Sequence, residues 1–227
     1  MKSSRPIPFQ KKRKLRASQL GRVYAALRKT FGPQNWWPGK TSFEVMVGAI
    51  LTQNTAWINV EKAIRNLRRA RKLSFRALRR ISRKELARLI RPAGYFNVKA
   101  DRLKCFADFL ARECRGDLST LKRQGMPKLR QKLLGVKGIG PETADSILVY
   151  ALGKPSFVID AYTRRIFSKH GLARGSENYE RWREIFTRAL PRNLGLYNDF
   201  HAQIVRVGKE YCRKIPCCAG CPLSRFF

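Results

Sequence analysis

The stretch that most limits what this chain can become is residues 136–160, VKGIGPETADSILVYALGKPSFVID. Two runs with apolar residues at helical spacing, Met126 to Leu134 and Glu142 to Leu152, are separated by Lys137-Gly138-Ile139-Gly140-Pro141. So short a connection demands a tight hairpin, where glycine permits positive φ and close backbone approach. Pro141 suits the first helical position because it has no N–H to leave unpaired. A turn built this way directs N–H groups and a helix N-terminus outward, which suits a phosphate. A bare glycine hairpin is also an ordinary helix–helix turn, so its meaning depends on the rest of the chain.

The charge narrows the partner. A formal net charge of +34 over 227 residues repels itself strongly, and a polyanion is the partner that relieves it, nucleic acid being the commonest. Lys11 to Lys14 form the centre of a basic arm over residues 1–17, and Arg65 to Arg91 carries a cation at nearly every polar position. Binding is expected to weaken steeply with salt. No apolar run approaches the length of a bilayer span, and MKSSRPIPFQKKRK lacks the apolar segment of a secretory signal, so a soluble, cytoplasmic, nucleoid-associated protein is expected.

Helical periodicity dominates the remainder. Leu20, Val23, Tyr24, Leu27 and Phe31 mark a first helix ended by Gly32-Pro33. Thr41-Ser-Phe-Glu44 reads as a capping box opening a second. A third begins at Trp57, a short fourth spans Phe75 to Ile81, Ser82-Arg-Lys-Glu85 caps a fifth, and Lys99 to Ala111 forms a sixth. Beyond the hairpin pair, Ala161 to His170, Asn178 to Leu190 and Leu196 to Tyr211 complete an all-α reading.

The string Leu134-Gly-Val-Lys-Gly-Ile-Gly-Pro-Glu-Thr-Ala-Asp145, followed by Phe157-Val-Ile-Asp160, resembles the helix-hairpin-helix (HhH-GPD) DNA glycosylases related to endonuclease III. Gly48-Ala-Ile-Leu-Thr-Gln53-Asn-Thr55 and Arg91-Pro-Ala-Gly94-Tyr-Phe-Asn97-Val-Lys99-Ala100 resemble two further turns of that family. With Trp36-Trp37-Pro38, the pattern is most similar to the endonuclease-III-type 3-methyladenine glycosylases. The resemblance implies a monomer of two helical domains flanking a cleft: a six-helix barrel at 41–150, and a discontinuous domain of 18–40 and 151–227.

One departure bears on mechanism. Many members carry a lysine two residues after the last hairpin glycine, whose amine attacks the sugar and cleaves the strand; this chain has Glu142 there, and a carboxylate forms no Schiff base. Asp160 alone would read as a helix N-cap, but within the motif it becomes the expected catalytic carboxylate, able to stabilise an oxocarbenium-like sugar or orient a water. The resemblance further implies that Gln53 fills the gap left by a flipped base, and that Lys137, Gly138, Ile139 and Gly140 hold a DNA phosphate, directly or through a monovalent cation. Trp36, Trp37 and Trp57 are expected either to stack on a cationic alkylated base or to pack the core.

Cys212, Cys217, Cys218 and Cys221 crowd into the C-terminal segment as C-x4-C-C-x2-C. The family's iron-sulfur loop differs by one residue at its first gap and places its last cysteine where Phe227 stands, so Cys217 would supply the fourth thiolate of a [4Fe-4S] cluster; four thiolates also suit zinc, and a metal-free relic stays open. Cys105 and Cys114 read as inert thiols, and His170 and His201 as satisfied helix residues. The expected activity is therefore monofunctional removal of alkylated, 3-methyladenine-like bases from double-stranded DNA. Its rivals are an endonuclease III-like enzyme for oxidised pyrimidines and a non-catalytic helix-hairpin-helix DNA-binding protein.

Overall fold

The computed structural model describes residues 15–213 and 215–226; the Lys11 to Lys14 arm, Lys214 and Phe227 lie outside the described residues. The described chain is all-helical, as expected. In order it forms α1 (Leu20–Phe31), α2 (Ser42–Leu51), α3 (Trp57–Arg69), α4 (Phe75–Arg80), α5 (Arg83–Leu89), α6 (Phe96–Cys114), α7 (Leu118–Arg123), α8 (Met126–Leu134), α9 (Pro141–Ser146), α10 (Ala161–Lys169), α11 (Tyr179–Ala189) and α12 (Leu194–Glu210). None of these is long and apolar enough to cross a membrane.

Local chemistry sets most of the boundaries. Thr41, Ser74, Ser82, Asp117, Asp160 and Asn178 each accept a backbone N–H from the first turn that follows them, satisfying donors a helix start leaves orphaned. The Glu44 side chain, however, is drawn away to Arg68, which it meets through both oxygens at 2.8 and 2.9 Å. α7 escapes a reading by periodicity because its six residues hold only two apolar positions, Leu118 and Leu121; Asp117, its cap, is the signal that announces it. After α9 the helix widens into a π-helical turn, Ile147–Ala151, which carries Tyr150.

The chain divides into two units. One joins the described residues up to Gln34 with Ile159–Pro191 and Asp199–Phe227, and its core is aromatic: Phe167, Phe186 and Phe200 meet at ring-centroid distances of 5.0–6.4 Å, with Trp182 fully buried. The other comprises Asn35–Val158 and Arg192–Asn198. Its centre is α2, buried from Phe43 to Leu51, against which α3, α6, α9 and the π turn pack. These divisions fall a few residues from positions 40 and 150, because Trp37 stacks near Trp57 and Tyr150, and Ser156 bonds to Asp145, inside the second unit.

Candidate active site

In the hairpin, Gly138 is the residue that needs to be glycine. Its φ is +87°, and a Cβ there would run into the Arg102 side chain. Gly140 instead has extended backbone at the α9 N-cap, with open space where a Cβ would stand. Ile139 is buried and its N–H donates to Val136 O at 3.0 Å, so it pins the turn to the core while Lys137 and Gly140 face outward. The two arms are clasped from beneath. Arg130 on α8 donates to both oxygens of Asp145 on α9 at 2.9 and 3.0 Å, and the Ser156 hydroxyl adds a third bond at 2.6 Å. Asp145 is fully buried, so this clasp holds the hairpin rigid.

Gln53 reaches the same hairpin. Its amide nitrogen donates to Gly138 O at 3.1 Å and to the Thr143 hydroxyl at 2.8 Å, and its oxygen accepts from the Arg102 guanidinium. The loop that carries it is fixed by Lys99, which is 1 % exposed and donates to Leu51 O at 2.8 Å and Ala93 O at 2.7 Å. Burial, reinforced by nearby Arg102, lowers the Lys99 ammonium to about 8. A lowered lysine pKa suits a nucleophile, but this amine is spent on two main-chain carbonyls in the core. Glu142, by contrast, is exposed on the first turn of α9, where a carboxylate favours the helix dipole and no amine is offered. Arg102 and Lys99 carry no role in the sequence reading; the steric demand at Gly138 and the burial of a lysine reveal them.

The three tryptophans do come together. Trp37 meets Trp57 edge-on at 5.0 Å and 88°, Trp36 lies 5.4 and 6.3 Å from these two rings, and Tyr150 from the π turn closes on Trp37 at 5.0 Å. Gly48 on α2 lies beneath the cluster, and a Cβ there would stand 3.5–3.6 Å from the Trp57 and Trp37 rings, in ordinary contact. A cavity of about 250 Å³ opens beside them, lined by Trp37, Pro38, Trp57, Glu44, Glu61 and Arg68 among others. Glu44 is occupied by Arg68, whereas one Glu61 oxygen accepts the Trp57 indole N–H at 2.8 Å. The rings are half-buried, packed against one another and partly open to solvent.

The buried run Phe157, Val158 and Ile159 leads to Asp160, which caps α10. Its Oδ1 accepts from the Thr163 N–H at 2.7 Å and the Thr163 hydroxyl at 2.8 Å, and its Oδ2 lies 3.5 Å from His201 Nε2 on α12. Burial pushes the Asp160 carboxyl up, but His201 and the two Thr163 donors outweigh it and hold the group below the ordinary carboxylate range. The sequence makes His201 a satisfied helix residue, and the fold places Asp160 beside it.

Arg165 ties α10 to the cysteine segment, donating to Cys212 O at 2.8 Å and Gly208 O at 3.0 Å. Cys212 is buried, Cys221 half-buried, and Cys217 and Cys218 are exposed. Four thiols suit a soft metal by chemistry, but among the described residues no three His, Cys, Asp or Glu side chains gather to hold one.

Residues 47–192 match the HhH-GPD superfamily of base excision DNA repair proteins. The chain belongs to that superfamily. It is 44 % identical to the candidate DNA repair glycosylase MJ1434 of Methanocaldococcus jannaschii, over 90 % of this chain and 94 % of that one. Among solved structures, the H. pylori 3-methyladenine DNA glycosylase MagIII bound to 1,N6-ethenoadenine superposes with a TM-score of 0.76 at 28 % identity, covering 86 % of this chain and 98 % of that one. A non-covalent endonuclease III–DNA complex gives a TM-score of 0.79 at 20 % identity, covering 93 and 95 %, and shows the shared fold. The chain is thus a DNA glycosylase of the base-excision type, related to endonuclease III, and the non-catalytic reading falls behind.

Proposed function

We propose that this glycosylase removes alkylated purines of the 3-methyladenine type from double-stranded DNA, acts as a monomer and does not cleave the strand. The observation that carries the substrate reading is the cluster of Trp37, Trp57 and Tyr150 with the Glu61 carboxylate beside it. An N-alkylated purine is cationic, so its glycosidic bond needs little acid assistance and the pocket's task is to recognise positive charge. Each electron-rich ring face attracts such a base by about 0.5–2 kcal/mol. The similarity to MagIII, a 3-methyladenine DNA glycosylase, supports the same class.

In this reading Lys137, Gly138, Ile139 and Gly140 hold a backbone phosphate, directly or through a monovalent cation, and Gln53 leaves its three partners to fill the space of the flipped base. Asp160 stabilises the developing positive charge on the sugar or orients the attacking water. Glu142 supplies no amine, so the abasic product leaves with its strand intact. On donor chemistry alone, Cys212, Cys217, Cys218 and Cys221 are proposed to carry a [4Fe-4S] cluster with a structural role; iron and acid-labile sulfide in protein purified without oxygen test it, and fewer than one cluster per ten chains would overturn it.

The test of substrate is a single-turnover panel of duplexes carrying 3-methyladenine, 7-methylguanine, thymine glycol or uracil, with released bases separated chromatographically. Fastest release of a methylated purine supports the proposal. Faster release of thymine glycol or uracil overturns it, and strand breaks on thymine glycol would assign an amine such as the exposed Lys137 to the endonuclease III-like alternative.

A further inference from the structure

The two oxygens of Asp160 have different partners. Oδ1 is used by the helix cap, which Thr163 completes with both its N–H and its hydroxyl. Oδ2 is not needed for capping, yet it faces the ring of His201, which is 5 % exposed, while the Asp160 side chain is 13 % exposed. A carboxylate this dry is destabilised in its charged form, and a neutral acid offers neither charge to an oxocarbenium-like sugar nor basicity to a water.

We propose that His201 is a positioning residue for base excision, holding Oδ2 of Asp160 in one direction and keeping the carboxylate charged. The proposal rests on the reading of Asp160 as the catalytic carboxylate. Three elements pack around the group. α10 contributes the Thr163 donors, α11 contributes the Tyr179 hydroxyl, which accepts from the Ile159 N–H at 3.3 Å, and α12 contributes His201. Of these, His201 is the group that can carry positive charge, with its Nε2 3.5 Å from Oδ2. The direction in which Asp160 titrates agrees with this geometry.

The full-length protein is tested as wild type, His201→Gln, His201→Ala and Asp160→Asn, by single-turnover release of methylated purine across pH. With His201 replaced by glutamine, an N–H donor remains but its charge is gone. The acid limb of the rate profile should then move up by about one pH unit or more, a shift equivalent to a tenfold change in the charged fraction. The plateau rate should fall further in His201→Ala than in His201→Gln, and affinity for a duplex holding an uncleavable abasic analogue should stay within about twofold, since no DNA contact is removed. Because the chain contains two histidines, ring ¹⁵N spectra give a second readout that needs no His201 variant: in Asp160→Asn the His201 ring signals should move while those of His170 stay.

Coincident pH profiles for wild type and His201→Gln, or an unmoved His201 ring, would overturn the proposal. The two readings separate cleanly. An Asp160→Asn protein that releases base at the wild-type rate removes the catalytic assignment itself, whereas an inactive Asp160→Asn beside an unaltered His201→Gln removes only the role of His201.

Discussion

Gln53 and Asp160 each sit at a helix end with three polar partners, but the partners differ in kind. Gln53 is a neutral, half-buried amide bonded to Gly138 O, the Thr143 hydroxyl and Arg102. Letting go costs a net of about 0.5–1.5 kcal/mol for each neutral bond and about 1.5–3 for the charged one, and water or DNA can replace them. Asp160 is a charge in a dry place, held by its own first turn and by a buried ring. Removing its partners would leave an uncompensated buried charge, which is far more costly. Under the proposed function the contrast is a division of labour, with Gln53 held loosely enough to move into DNA and Asp160 held to stay.

The sharpest way to break this comparison is Asp160→Asn. The amide keeps the shape of the cap but loses the charge, and base release should fall by about 10²–10⁴-fold while duplex binding is kept. Single-turnover rates with a parallel binding titration measure it. A loss of binding equal to the loss of rate would make Asp160 a structural cap instead.

Lys99→Met comes next and tests the platform beneath Gln53. The methionine fills the space but leaves the carbonyls of Leu51 and Ala93 without a donor, at about 1–3 kcal/mol for each. The pH dependence has a definite sign. With Lys99 held at about 8 in the folded chain against 10.5 for the free side chain, the unfolded chain binds more protons between those values. Wild-type stability should therefore gain on the variant as pH rises through that window. Denaturant unfolding of both proteins at several pH values checks it, and a gap that narrows with rising pH would contradict it.

The smallest effect is expected from Gln53→Ala. Lesion affinity should weaken about tenfold, near the value of one or two hydrogen bonds, with the rate of the chemical step unchanged once the base is out of the stack. Stopped-flow of a fluorescent base analogue next to the lesion separates the two. A chemical step slowed as much as by Asp160→Asn would erase the distinction between mover and anchor.

What could be read from the sequence was what local chemistry writes. The hairpin, the serine, threonine and aspartate caps and most helix spans follow from spacing and turn residues within a few positions of one another. α7 was too short to show a period, and the π turn that brings Tyr150 to Trp37 depends on packing rather than on any residue signal. Asp160 was legible because a motif surrounds it, whereas His201 lies 41 residues away on another helix and meets it only when α10 and α12 pack. Arg102 at Gly138 and Lys99 beneath the Gln53 loop are likewise partnerships between distant elements, and periodicity is silent about them.

The most direct test of the central claim follows base release and strand cleavage in the same aliquots, using a duplex with one 3-methyladenine-type lesion and borohydride present throughout. The account predicts free base at the wild-type rate, an unbroken strand until alkali is added, no protein–DNA adduct trapped by borohydride, and release slowed by about 10²–10⁴-fold in Asp160→Asn. A borohydride-trapped adduct, or strand breaks that keep pace with base release before alkali, would contradict it and assign the chemistry to an amine.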